Sequence, residues 1–188
     1  MFNVLGPLIN PARPKGMVLG IFEPELGATF AQSLLDGGVQ RAMIVCGVER
    51  LDEISCAGPT HVWELNRGAD GKGKIDEYLV DPLNDFGLLT HPLEDVAGHS
   101  PEENARVFVR LLDPAQGLPS DADQETIKKH NAITDFVLIN ASALLVVARI
   151  ANDFKHGVEL ARESIAGGKA WQALQTFRQS LQQQKPTE

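Results

Sequence analysis

Short apolar runs and a four-residue repeat alternate over the first fifty residues of the chain. Residues 17–22 form an apolar run of the length expected for a buried strand. Leu26, Phe30 and Leu34 then recur at four-residue steps, which places them on one face of a helix. Residues 41–46 form a second apolar run. A strand, a helix and a strand at this spacing predict a βαβ unit whose two strands are parallel.

The pattern changes in the middle of the chain. Residues 60–65 and 75–80 are rich in strand-forming side chains, and a charged, glycine-rich loop at 66–74 joins them. Two strands joined in this way predict an antiparallel pair at the edge of a sheet. The loop has the glycines of a phosphate-binding loop, but it does not open a helix, so we interpret it as a flexible hairpin insert.

The chain is helical from about residue 100. Ser100, Pro101 and Glu103 form the pattern of a capping box with proline at the first helical position. Apolar periodicity then predicts four helices, which are separated by polar or glycine-rich breaks and cover residues 101–112, 128–151, 154–166 and 169–182.

The helical repeats also predict which side chains face the core. Ala105 and Phe108 in the first of these helices, and Phe177 and Leu181 in the last, are expected to point inward. The fold class that follows is α/β: a partial, mainly parallel sheet with an antiparallel edge pair and flanking helices. We expect this unit to cover residues 1–182 and a polar tail to cover 183–188.

Composition narrows the classes of function. The 188 residues include 17 Lys and Arg against 25 Asp and Glu, so the net charge is −8, opposite to that of a nucleic-acid binder. No apolar run reaches the roughly 20 residues of a membrane-spanning helix, so no membrane association is expected. Cys46 and Cys56 are too few for a disulfide scaffold and are interpreted as buried thiols in a reducing, cytoplasmic compartment.

The strongest candidate for chemistry is the adjacent pair Asp52 and Glu53, which follows the second predicted strand after a short connection. Ligands of open parallel sheets bind beyond the carboxyl ends of the strands, where this pair lies. On a turn, both carboxylates can converge on one Mg²⁺ ion, which completes its shell with water and phosphate oxygens. The alternative is a solvated acidic pair, and composition alone favours that alternative.

A second candidate lies at the beginning of the chain. Gly6, Pro7 and Asn10 belong to a constrained, apolar, proline-containing segment that can form the wall of a site. A purely structural corner is the slightly favoured alternative. The five histidines are scattered without the spacing of zinc ligands, and no serine lies in a nucleophile elbow. No catalytic side chain is therefore assigned.

Two segments, residues 2–14 (FNVLGPLINPARP) and 51–55 (LDEIS), carry a resemblance to a known family. The chain resembles the second half of the anthranilate phosphoribosyltransferases, which are glycosyltransferase family 3 enzymes, and particularly eukaryotic, fungal-like members. Three shorter matches support this resemblance: residues 101–105, 138–141 and 168–170.

The resemblance implies a function in tryptophan biosynthesis. Members of the family transfer a 5-phosphoribosyl group from phosphoribosyl pyrophosphate to the nitrogen of anthranilate and release pyrophosphate. The family's acidic pair binds Mg²⁺ together with the pyrophosphate, and this role falls on Asp52 and Glu53. The resemblance also implies a homodimer formed through N-terminal helices.

Several departures from the family pattern shape the expectation for this chain. The family's N-terminal helical domain, phosphate loop and anthranilate-contacting arginine precede the matched segment, so we expect a fragment with little activity alone. Arg50 stands where the family usually has glycine, which alters the freedom of the backbone beside the acidic pair. Two alternatives remain open: a pyrimidine nucleoside phosphorylase-like enzyme and a non-catalytic interaction fragment.

Overall fold

The computed structural model describes residue 8, residues 12–68 and residues 70–183. Its central element is strand β2, in which every residue after Arg41 is buried. Four strands form one sheet in the order β1-β2-β3-β4, and their bounds are Gly16–Gly20, Arg41–Gly47, Thr60–Arg67 and Gly73–Val80. A helix links β1 to β2, whereas loops link β2 to β3 and β3 to β4.

The sheet is mixed. β1 and β2 are parallel, with Gly16 opposite Arg41 and Gly20 opposite Val45. β2 with β3 and β3 with β4 are antiparallel. The βαβ unit, the antiparallel pair and the α/β fold with flanking helices are confirmed. Parallel pairing is limited to one of the three described pairs, however, so the sheet is not mainly parallel, because β3 returns alongside β2 without a crossover helix.

Six α-helices accompany the sheet in the described residues. In chain order, α1 to α6 are Gly27–Asp36, Pro82–Phe86, Pro101–Leu112, Gln124–Val147, Phe154–Ala166 and Lys169–Gln183. Short 3₁₀ turns at Pro24–Leu26 and Leu93–Asp95 precede α1 and α3. The capping box of α3 is present, since Ser100 accepts from the Glu103 backbone and Glu103 accepts from Ser100. Aspartates cap α2, α4 and α5, where each side chain accepts from backbone amides of the first turn.

The core has two halves, one on each face of the sheet. Ala42, Ile44 and Cys46 of β2 pack on the side covered by α1, whereas Met43 and Val45 pack on the side covered by α4 and α5. This alternation is the two-residue period of a strand that is buried on both faces. The helices thus hold β2, and the loop that follows it, in a fixed position.

The expected inward orientation is wrong for four side chains, two in each of two helices. Phe108 of α3 is 46% exposed, and Ala105 is also exposed, while Leu111 and Leu112 are the buried residues of that helix. Phe177 and Leu181 of α6 are likewise exposed. Helical periodicity identifies an apolar face, but it does not show whether another element covers that face.

Helix α4 corrects another expectation, because it is long and apolar enough to cross a membrane by length and composition. One such helix is weak evidence, since core helices meet the same criteria. Leu138, Ile139 and Ala143 of α4 are buried in the core beneath the sheet. This packing places one face of α4 in the core, and 33% of its apolar window is buried. Cys46 and Cys56 are both buried free thiols, as expected.

Candidate functional site

The loop between β2 and β3 carries Asp52 and Glu53 at the carboxyl end of the parallel strands. Its position is fixed by contact with the last residue of β1. A Cβ atom built on Gly20 would lie only 1.6 Å from the carbonyl oxygen of Asp52, so only glycine leaves room for the loop backbone. Two strands that are distant in sequence therefore jointly place the acidic pair where ligands of parallel sheets bind.

A tight turn shapes the first part of this loop. The Gly47 amide donates to the Leu51 carbonyl at 2.8 Å, and the Arg50 amide donates to the Gly47 carbonyl at 2.8 Å. Arg50 adopts a left-handed backbone with φ of +65°. The glycine expected from the family at this position thus has a physical reason, since a side chain there is strained by roughly 1–2 kcal/mol. Arginine occupies the same conformation at that energetic cost.

Helix α4 holds the second part of the loop through Asn140. The Ile54 amide donates to Asn140 Oδ1 at 2.9 Å, and Asn140 Nδ2 donates to the Ile54 carbonyl at 3.1 Å. One amide side chain therefore satisfies both backbone groups of the residue that follows Glu53. Asn140 is partly buried, and its hydrogen-bond partner is the loop itself.

Ser55 anchors the end of the acidic segment. Its amide donates to the Thr60 hydroxyl at 2.9 Å, and its hydroxyl donates to the Glu49 carboxylate and accepts from the Ala57 amide. Ile54, Ser55 and Thr60 are all buried. The backbone on each side of Asp52 and Glu53 is consequently fixed by internal hydrogen bonds before any ligand binds.

Unlike the hydrogen-bonded backbone around them, the two acidic side chains are open to solvent. Asp52 and Glu53 are exposed, and neither carboxylate forms a hydrogen bond or an ion pair with another part of the chain that the structure describes. The protein around the base of the loop partly desolvates Glu53, and the charge of Asp52 adds repulsion; together these effects raise the pKa of Glu53. A bound cation would remove that repulsion.

The donor chemistry fits Mg²⁺. Two neighbouring carboxylates offer hard oxygen ligands, and Mg²⁺ commonly uses one or two carboxylates, several waters and the phosphate oxygens of a substrate. Within the described ranges, no group of three or more His, Cys, Asp or Glu side chains could hold a metal. The described residues therefore offer two exposed carboxylates at this loop and no closed, all-protein metal cage.

The second candidate cannot be placed against this loop. Gly6, Pro7 and Asn10, predicted as a possible site wall, lie outside the described residues. The sequence interpretation also missed the role of Gly20. Its signal was available, because an isolated glycine inside an apolar strand indicates a close approach of another backbone.

The chain is similar to known proteins over most of its length. The family described as "Glycosyl transferase family, a/b domain" matches residues 1–171. The anthranilate phosphoribosyltransferase of Schizosaccharomyces pombe is 37% identical over 183 residues, which cover 97% of this chain and 47% of that protein. The Psychromonas ingrahamii enzyme of the same name is 40% identical over 182 residues, with coverage of 97% and 48%.

Solved structures give the same picture. Anthranilate phosphoribosyltransferase from Saccharomyces cerevisiae in complex with PRPP and Mg superposes with a TM-score of 0.80 at 30% identity, over 97% of this chain and 47% of that chain. The complex of the same enzyme with 4-fluoroanthranilate also has a TM-score of 0.80. The chain spans about half the length of the curated relatives that it matches. These relatives give no support to the nucleoside phosphorylase alternative.

Proposed function

Because the chain belongs to the glycosyl transferase family represented by this a/b domain, we propose that it serves phosphoribosyl transfer to anthranilate in tryptophan biosynthesis. The donor is phosphoribosyl pyrophosphate, and pyrophosphate is the leaving group. The observation that carries the proposal is the superposition of 97% of the chain on a relative in complex with PRPP and Mg. Two buried free thiols support a reducing, cytoplasmic location.

Asp52 and Glu53 are the residues proposed to hold Mg²⁺. When bound, the ion stabilises the negative charge that develops on the departing pyrophosphate. The carboxylates are available to a metal ion because no cationic side chain in the described residues pairs with them. Their approach to the diphosphate is set by the loop backbone rather than by long, flexible side chains.

Positioning is the second contribution of this chain. Gly20 allows the loop to lie against β1, and Asn140 ties the loop to α4. Holding two reactants in the productive geometry supplies a large part of the rate of a displacement reaction. We assign no nucleophile or general base to the described residues, because the acceptor amine itself attacks the ribose carbon.

The isolated 188-residue chain is proposed to have little activity. The relatives use about twice this length, and the phosphate loop and acceptor pocket that the family resemblance implies are not among the residues of this sequence. Dimerisation through N-terminal helices belongs to the same proposal, because it also depends on residues outside this chain.

A chimera tests the proposal. Residues 1–183 of this chain would replace the aligned segment of the S. pombe relative, and anthranilate consumption would be followed by its fluorescence with PRPP and Mg²⁺. We expect turnover by the chimera and little turnover by the 188-residue chain alone. Turnover of the isolated chain near that of the intact relative would contradict the proposal of low activity. A folded chimera that does not consume anthranilate but cleaves pyrimidine nucleosides with phosphate would contradict the proposed substrates.

A further inference from the structure

A cavity lies at the other end of the sheet from Asp52 and Glu53. It has a volume of about 540 Å³ and is lined by Lys15 before β1, Arg41 at the start of β2, Arg67 at the end of β3 and Arg149 after α4. We call it the basic cavity. Among the described residues that line it, none is acidic. Four cations therefore surround one space in a chain whose net charge is −8.

Two of these cations have structural partners. Arg41 donates to the carbonyls of Val146 and Val147, at 2.9 and 2.8 Å, and so caps the end of α4. Arg67 donates to the carbonyls of Gly71 and Leu35. Helix C-termini attract cations, so these contacts explain why Arg41 lies here without invoking a ligand. They do not explain the other two cations.

Lys15 and Arg149 make no side-chain hydrogen bond or ion pair with any part of the chain that the structure describes. Arg149 also has φ of +59°, a left-handed conformation in which glycine would be less strained. In addition, the Nε atom of Arg67 is buried without a hydrogen-bond partner among the described residues. Burial and the nearby charge of Arg149 lower the pKa of Arg41, and the carboxylate of Glu64 opposes this shift only in part.

We propose that the basic cavity binds the phosphate group of a small phosphorylated molecule. Guanidinium groups match the oxygens of phosphate in a bidentate geometry, and lysine adds a point charge. The volume is that of a small-molecule site rather than of a single ion. Leu144 and Val147 supply an apolar side for the organic part of the ligand. This assignment does not depend on the proposed catalytic function.

Binding to the full 188-residue chain tests the proposal. Calorimetric titrations with inorganic phosphate, pyrophosphate and ribose 5-phosphate would be performed in EDTA at constant ionic strength, so that a Mg²⁺-dependent complex at Asp52 and Glu53 cannot form. We expect saturable, metal-independent binding of at least one probe. Preference for ribose 5-phosphate identifies a sugar phosphate, and preference for pyrophosphate identifies a diphosphate group.

The variants Arg149→Gly and Lys15→Gln should each weaken that binding by about tenfold, the loss expected for one charge-assisted contact. Arg149→Gly also relieves the left-handed strain, so it should fold at least as well as the parent chain. Arg178→Gln on α6, which removes the same charge away from the cavity, should bind as the parent does. Unchanged affinity in Arg149→Gly, absence of binding by all three probes, or tighter binding of a poly-glutamate peptide than of any phosphate would overturn the proposal.

Discussion

Two Asp-Glu pairs occur in this chain, and the structure places them in opposite circumstances. Asp52 and Glu53 lie on a bend at the carboxyl end of the parallel strands, exposed and without a partner in the described residues. Asp76 and Glu77 lie within strand β4, where successive side chains point to opposite faces. Asp76 already pairs with Lys74 at 2.7 Å.

The difference shows that an Asp-Glu dipeptide does not by itself form a cation site. The two pairs have identical side chains, but only the first is presented by a loop that β1, β3 and α4 hold in place. The second pair diverges across a sheet and one of its members is neutralised. The topology around a pair decides whether its carboxylates can share one cation, and the second pair therefore provides an internal control for the first.

The largest expected effect separates the two pairs by activity. In the chimera with the S. pombe relative, Asp52→Asn combined with Glu53→Gln should lower kcat/KM by at least about 100-fold, because charge stabilisation at the leaving group is lost. Asp76→Asn combined with Glu77→Gln removes the same two charges and should change kcat/KM less than about threefold, since an exposed ion pair contributes little. Equal losses in both double variants would show that the location of the pair is irrelevant.

The next largest effect is expected from replacing Asn140, the residue of α4 that binds the loop between β2 and β3. Asn140→Leu keeps the number of side-chain heavy atoms but leaves the amide and the carbonyl of Ile54 without their partner. We expect a loss of about 2–4 kcal/mol in the free energy of unfolding, because buried polar groups without partners are destabilising. Urea denaturation measures it. Asn131→Leu, at an exposed position of the same helix, is the control and should change stability by less than about 0.5 kcal/mol.

The contact between β1 and the loop should be sensitive to one methyl group. Gly20→Ala places a Cβ atom against the Asp52 carbonyl, and the loop must shift to accept it. We expect destabilisation of about 1–3 kcal/mol, as for other overpacked sites, and weaker Mg²⁺-dependent pyrophosphate binding. Gly58→Ala in the same loop meets no atom within 4 Å and should leave both quantities unchanged. If the two alanine variants behave alike, the close approach does not position the acidic pair.

The smallest expected effect is a gain in stability from replacing Arg50. Arg50→Gly should raise the free energy of unfolding by about 0.5–1 kcal/mol, because the relief of left-handed strain exceeds the added flexibility of the unfolded chain. Arg50→Ala removes the same charge and side chain but keeps the Cβ atom, so it should not stabilise. Thermal unfolding of both variants at one pH distinguishes backbone strain from charge. A gain in Arg50→Ala as large as that in Arg50→Gly would assign the effect to charge.

The local pattern of apolar and polar residues was sufficient to predict most of the helices and strands. It was not sufficient to predict the contacts between elements that are distant in sequence. The apolar runs around β1 and β2 and the capping box at Ser100 predicted elements that the structure contains. The antiparallel pairing of β2 with β3 did not follow from them, because two buried strands carry no signal for their relative direction. The site divides in the same way: the acidic pair was predicted from the end of a strand, whereas the bond from Asn140 to Ile54 joins residues 86 positions apart.

Crystals of the 188-residue chain grown with Mn²⁺ and pyrophosphate would test the central claim most directly. Mn²⁺ substitutes for Mg²⁺ and is located by its anomalous signal. The account predicts an ion with oxygen ligands from Asp52 and Glu53 at about the 2.0–2.1 Å of a Mg²⁺ site, or slightly longer, and with pyrophosphate oxygens completing its shell. An ion bound elsewhere, with both carboxylates directed away from it and from the pyrophosphate, would contradict the account.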